Sequence, residues 1–116
     1  MLSVKTGPIR TSGFALKLRR AINASLREYY KEGKIKAADV NKAMTEINKA
    51  LYDLIVTDFG LPKESVLNIQ LTFDIEGGIF VLKDIIIETY VKDEVLSKAL
   101  TNKAKGKLLV PEKVTT

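Results

Sequence analysis

The chain has 116 residues, with 19 lysines and arginines against 14 carboxylates, and it lacks cysteine, histidine and tryptophan. At this length one domain is the natural organisation. The missing residue types exclude a disulfide scaffold, a thiolate nucleophile, a Cys-ligated metal and the commonest general base and metal ligand.

Apolar residues make up 46% and charged residues 28%, which places the chain among globular proteins and not disordered ones. The net charge of +5 is unevenly spread: residues 1–60 hold eleven Lys/Arg and six Asp/Glu, 61–92 hold three and five, and 93–116 hold five and three. A basic balance can hold polyanions, or it can be an ordinary basic surface. Eleven isoleucines with abundant Lys and Glu fit a thermophile composition. The start, Met1-Leu2-Ser3-Val4 followed by Lys5 and Gly7-Pro8, has no signal-peptide run. The longest uninterrupted apolar stretches, 79–82 and 85–87, are far below the ~20 residues of a membrane helix. The expectation is a soluble, cytoplasmic protein with no membrane partner.

Residues 2–10 read as a short edge strand or an irregular arm, since Pro8 is restricted to edges and turns. Thr11-Ser12 offers a capping hydroxyl to a helix over 13–31. In that helix Phe14, Leu18, Ile22 and Leu26 recur every four residues, and Ala15, Ala21, Ser25 and Tyr29 fill the same face. Gly33 stops it. A second helix starts at 37–39 and ends near 59, with Val40, Met44, Ile47, Leu51, Leu54 and Ile55 on its apolar stripe and Gly60 and Pro62 beyond. The short 32–36 connection predicts an antiparallel helix pair.

The period then falls to two. Leu67, Ile69, Leu71, Phe73 and Ile75 alternate with polar residues, Glu76-Gly77-Gly78 makes a turn, and a second strand follows over 79–91. Strict alternation puts Ile79, Val81, Ile85, Ile87 and Val91 on one face of that strand. It puts Phe80, Leu82, Ile86 and Tyr90 on the other. A short helix through Val95, Leu96, Ala99 and Leu100 would stop at Gly106, leaving 108–116, with Pro111, loosely ordered or partner-bound. The predicted fold class is α+β: an antiparallel two-helix hairpin on a small antiparallel sheet (hairpin 66–91), with an optional N-terminal edge strand and a short C-terminal helix. One domain spans 1–104 and a tail 105–116.

Lys17, Arg20, Arg27 and Lys31 fall within ~60° on the first helix, beside its apolar stripe. Asn23 lies close to this row, Arg19 and Tyr30 lie further round, and Arg10 and Lys34 extend it at the two ends. Such a row can track a phosphate backbone, or it can be a solvated face whose Arg stems cover the core. Phe80, Leu82, Ile86 and Tyr90, if outward, form a homodimer interface, a stacking platform for bases, or a surface covered by the tail. Asp74, Asp84 and Glu88 do not converge into an acid pair or a metal cluster. A helix-turn-helix reader is disfavoured, because Glu46 and Asp53 share the polar side of the second helix with Lys42 and Lys49. No phosphate-loop or nucleophile–base pattern is present, so no catalytic residue, metal or cofactor is expected.

Thr6-Gly7, Ser12-Gly13 and Leu16-Lys17-Leu18-Arg19-Arg20 resemble an archaeal family of small proteins of the ThermoDBP type. So do Asn48, Leu51-Tyr52, Ile55-Val56, Lys63, Val66 and Phe73-Asp74-Ile75-Glu76-Gly77. The match covers about residues 4–92. The resemblance implies an α+β protein that binds single-stranded nucleic acid in an apolar cleft with basic flanks and that oligomerises through a C-terminal segment. It would make Lys17, Arg19, Arg20 and Arg27 the basic flank, and Phe80 and Tyr90 stacking groups. The tail departs from the family, since 95–100 is too short for a sustained coiled coil. Two functions follow. The first is sequence-tolerant binding of single-stranded DNA or RNA through the basic row and apolar or aromatic contacts. The second is a non-enzymatic homodimer or protein-interaction module built on the outer sheet face and the tail.

Overall fold

The computed structural model describes residues 1–109. Two short strands open the chain, β1 (Leu2–Lys5) and β2 (Ile9–Arg10), parted at Gly7, which takes φ +68°. Thr6 spans the gap: its N–H donates to the Ile69 carbonyl at 2.9 Å, and its hydroxyl accepts from the Ile69 N–H at 3.0 Å. The N-terminal segment is therefore a true edge strand, continued past a proline that cannot donate.

Thr11 does not cap the first helix. Its N–H and its hydroxyl both donate to the Ser65 carbonyl, at 2.8 and 2.9 Å, and residues Thr11–Gly13 form a 3-10 turn. Helix α1 (Phe14–Ser25) starts from Gly13 without a side-chain cap. The single helix predicted over 13–31 is broken at Leu26 (φ −101°, ψ 6°), and α2 (Arg27–Lys31) follows. The Ser25 hydroxyl donates back to the Ile22 carbonyl at 2.8 Å, which bends the helix there, while Leu26 is wholly buried. Helix α3 (Ala37–Tyr52) widens into a π-helical turn, Asp53–Asp58, before Gly60 at φ +63° ends it. Asn48 Nδ2 donates to the Ala15 carbonyl at 3.1 Å and Asn23 Nδ2 to Asn41 Oδ1 at 3.0 Å, so contacts that advance along α1 retreat along α3.

Strand β3 (Val66–Glu76) is the middle of an open antiparallel sheet, and the fold is α+β. β4 (Ile79–Tyr90) lies along one edge of β3, while β1 and β2 share the other. Gly77 and Gly78, at φ +58° and +77°, make the tight turn between β3 and β4. Leu67, Ile69, Leu71 and Phe73 of β3 have no exposed surface and pack with Leu18, Ile22, Leu26, Val40 and Met44 of the helices. Each such side chain contributes about 1.5–3 kcal/mol by leaving water.

The faces of β4 are not those that strict alternation predicts. Thr72 pairs with Asp84 but Phe73 pairs with Leu82, so Lys83 is an extra residue in a β-bulge. One extra residue reverses the parity of everything beyond it. Opposite core-facing Ile75, Phe73, Leu71 and Ile69 stand Phe80, Leu82, Ile85 and Ile87; Ile79, Val81, Ile86 and Tyr90 lie on the other face. The expected outward set is thus divided: Phe80 and Leu82 turn toward the helices, Ile86 and Tyr90 away. Deleting Lys83 should restore regular pairing without moving any other β4 side chain to the opposite face. The expected cost in urea unfolding is within about 1 kcal/mol, chiefly the exposed Lys83–Glu76 ion pair (2.7 Å). A collapse of stability would contradict the bulge.

Helix α4 (Glu94–Leu108) begins where Asp93 Oδ1 accepts from the Leu96 N–H at 2.9 Å. It passes through Gly106, which was expected to stop it. A helical glycine costs only about 1 kcal/mol, and Lys105 and Lys107 favour the negative end of the helix dipole. None of its residues is buried. The helix projects from the body: the Cα radius of gyration is 20.8 Å, against about 13 Å for a compact chain of this length. The remainder of the predicted loose tail, 110–116, lies outside the described residues. No helix among the described residues is long and apolar enough to cross a membrane.

Candidate nucleic-acid interface

Because α1 buries Phe14, Leu18 and Ile22, its opposite side carries the polar residues of the same turns, and Arg20 and Arg27 stand there rather than beside the apolar stripe as expected. Arg19, Arg20, Asn23, Ala24 and Arg27 line a concavity there together with Tyr30 of α2. Two layers of chemistry are visible in it. Arg19 is spent on the scaffold: Nη1 donates to the Asn41 carbonyl at 3.1 Å and to Asn41 Oδ1 at 3.2 Å, and Nη2 donates to Thr45 Oγ1 at 2.9 Å. The Tyr30 hydroxyl donates to Asn23 Oδ1 at 2.6 Å, and burial pushes the Tyr30 phenol above its ordinary pKa. Tyr30 is thereby held as a neutral donor. Arg20 and Arg27 are exposed and enter none of the ion pairs found among the described residues. Seven residues apart, they stand about 10 Å from each other along the helix direction.

The structure gathers four of the predicted site residues here: Arg19, Arg20, Arg27 and Tyr30. It leaves the others outside. Lys17 is exposed on α1 but does not line the concavity, and Arg10 sits on β2, paired with Val66. Lys31 is paired with Glu28 at 3.6 Å and Lys34 with Glu32 at 2.9 Å. Glu32 holds the Lys34 ammonium above its ordinary pKa, and the same ammonium lies 5.2 Å from the Tyr29 ring centre. Phe80 stacks on Phe73 with centroids 4.9 Å apart, whereas Tyr90 occupies the opposite sheet face. Phe80 also borders a hollow containing Asp39, Lys42 and Glu46, where two carboxylates against one lysine disfavour phosphate. Asn41 and Thr45, which fix Arg19, were not legible in the sequence. Their role depends on how α3 is aligned against α1, and no local pattern encodes that.

A family model described as ThermoDBP-related, archaea, matches residues 4–80. A crystal structure of apeThermo-DBP-RP2 bound to the single-stranded DNA dT10 is similar to this chain with TM-score 0.77 and 25% identity over 94% of the chain. The chain spans 53% of that protein's length. A crystal structure of pfuThermo-DBP-RP1 is similar with TM-score 0.68 and 34% identity, over 91% of this chain and 69% of that one. No curated protein matches. The family match covers the end of the first strand, helices α1 to α3, the central strand and the turn after it, and the chain belongs to the ThermoDBP-related family of archaea.

Proposed function

We propose that this chain binds single-stranded DNA, tolerantly of sequence, with phosphates on Arg20 and Arg27. The observation that carries this is the pair of exposed guanidinium groups that have no carboxylate partner among the described residues, beside a neutral tyrosine, in a protein similar to one crystallised with dT10. Contacts of guanidinium to phosphate hold position and carry no sequence information, which supports tolerance. The same contacts serve RNA, because telling it from DNA requires a group aimed at the 2′-hydroxyl. The test is fluorescence anisotropy of labelled dT10 titrated with the protein at several salt concentrations, with matched duplex as competitor. Binding should weaken steeply with salt and resist the duplex. No binding at low salt would refute the reading.

A second reading concerns assembly and is favoured by α4, whose Val95, Leu96, Leu100 and Leu108 are each more than half exposed. Exposed apolar groups along a helix with no buried residue can be covered by a second copy. Sedimentation velocity should show a dimer that Leu96→Glu/Leu100→Glu converts to monomer. A monomeric wild-type chain at high concentration would remove this reading and leave the first intact.

A further inference from the structure

The helical layer stops short of the sheet's β4 edge. Leu71 and Phe73 of β3 have no exposed surface, yet their ladder partners on the same face of β4, Ile85 and Leu82, are 38% and 37% exposed. On that face Phe80 and Ile87 pack against the core, and the two residues between them do not. This strip leads to a pocket of about 320 Å³ between the π-helical turn and the last residues of β4. Leu54, Ile55, Phe59, Leu61, Leu67 and Ile87 supply its apolar walls, and Phe59 is 76% exposed. The π-turn shapes it: the Phe59 N–H donates to the Leu54 carbonyl at 3.0 Å, five residues back, so both side chains reach the same pocket. An apolar groove on the core side of an edge strand lacks one element of the layer that covers its neighbour.

Charge indicates what fills it. Along α3 and the π-turn, Asp39, Glu46, Asp53 and Asp58 are exposed against Lys42 and Lys49, and none of the six enters an ion pair among the described residues. An acidic border disfavours phosphate and suits a cationic partner with apolar groups. Helix α4 has that chemistry. It carries Lys98, Lys103, Lys105 and Lys107 against Glu94, and those lysines too are outside the ion pairs among the described residues. Its exposed Val95, Leu96 and Leu100 lie within about 8 Å of helix. A coiled coil needs an apolar seam sustained over several heptads, whereas a pocket needs it once.

The chain's own α4 has no buried residue and leaves its groove open. We propose that α4 of a second copy lies in this groove, with Leu96 and Leu100 in the pocket of Leu54 and Phe59 and its lysines facing the carboxylates of α3 and the π-turn. Each copy then gives one helix and receives one. Such an exchange uses the same two surfaces on both partners and closes at two copies. It rests on the assembly reading above and adds the surface that receives the helix, which is the body of the partner and not the partner's α4.

The experiment uses the full chain in sedimentation velocity and in cross-linking. Leu54→Glu/Phe59→Glu should raise the dimer dissociation constant about ten-fold or more. Its melting temperature should hardly move, because both side chains are exposed. Mixing it with Leu96→Glu/Leu100→Glu should restore dimers, because that pair keeps one intact helix and one intact groove. The chain has no cysteine, so introduced thiols report single contacts. Phe59→Cys mixed with Leu100→Cys should cross-link to each other faster than either does to itself. A groove variant that dimerises like wild type would overturn the groove while the assembly reading stands, whether or not it still binds dT10. So would faster cross-linking of Leu100→Cys to itself, which means helix against helix. Cross-linking of Phe59→Cys/Leu100→Cys within one chain at low concentration would overturn it in favour of the chain's own helix. A monomeric wild-type chain at high concentration would overturn both assembly proposals.

Discussion

Reversing Arg20 and Arg27 to glutamate should abolish measurable binding of dT10, whereas reversing Lys31 and Lys34 should leave most of it. Both double variants change the net charge from +5 to +1, so they separate a site from a general field. Arg20 and Arg27 enter no ion pair among the described residues, so their full charge is available to phosphate. Lys31 and Lys34 are already held by Glu28 and Glu32. If two phosphate contacts are lost, the slope of log K against log salt should flatten by about 1.4, and the two new carboxylates add repulsion. Arg20 and Arg27 are both exposed, so the melting temperature should hardly move. Equal losses in the two variants would mean that charge alone, and not the concavity, governs binding.

Truncating Phe73 to alanine should cost about 3–5 kcal/mol, a large part of the 5–15 kcal/mol that stabilises an ordinary domain. Phe73 has no exposed surface, occupies the central strand and stacks on Phe80. Its removal opens a cavity beside β1 and β4, which cannot close on it without breaking ladder pairs. Phe80→Ala should cost about half as much, because that ring already meets solvent on one side. Urea midpoints at constant m-value would measure both. Equal costs would mean that the stack, and not burial, carries the stability of this corner.

Local periodicity made most of the elements legible. Phe14, Leu18 and Ile22 announce α1, the alternation from Leu67 to Ile75 announces β3, and Gly77-Gly78 announces the turn. Each of these signals is complete within a dozen residues. What escaped depends on a count or on a distant partner. Nothing in the residues from Ile79 to Tyr90 says that Lys83 lacks a partner across the ladder, yet that one fact moves Phe80 and Tyr90 to opposite faces. Thr11 looked like a cap because Ser65, the group it serves, is remote in sequence. In the basic row the helical wheel placed Arg20, Asn23 and Arg27 correctly on one side. It could not show that Asn41 immobilises Arg19, that the Tyr30 hydroxyl bonds to Asn23, or that Lys31 pairs with Glu28.

The pairing of Leu2 with Phe73 has a bearing on how the chain is made. On the ribosome β1 emerges before β3 and must wait for about seventy further residues before its partner exists. Until then it offers an unpaired edge, which is the hazard that high contact order brings during synthesis. β3 and β4 need only their tight turn to meet, and α1 and α3 are local structures. The expected order of assembly therefore reverses the order of synthesis at this edge of the sheet. β1, translated before its partner, docks last, and the latch is Thr6, whose two bonds to Ile69 close the interruption beside Gly7.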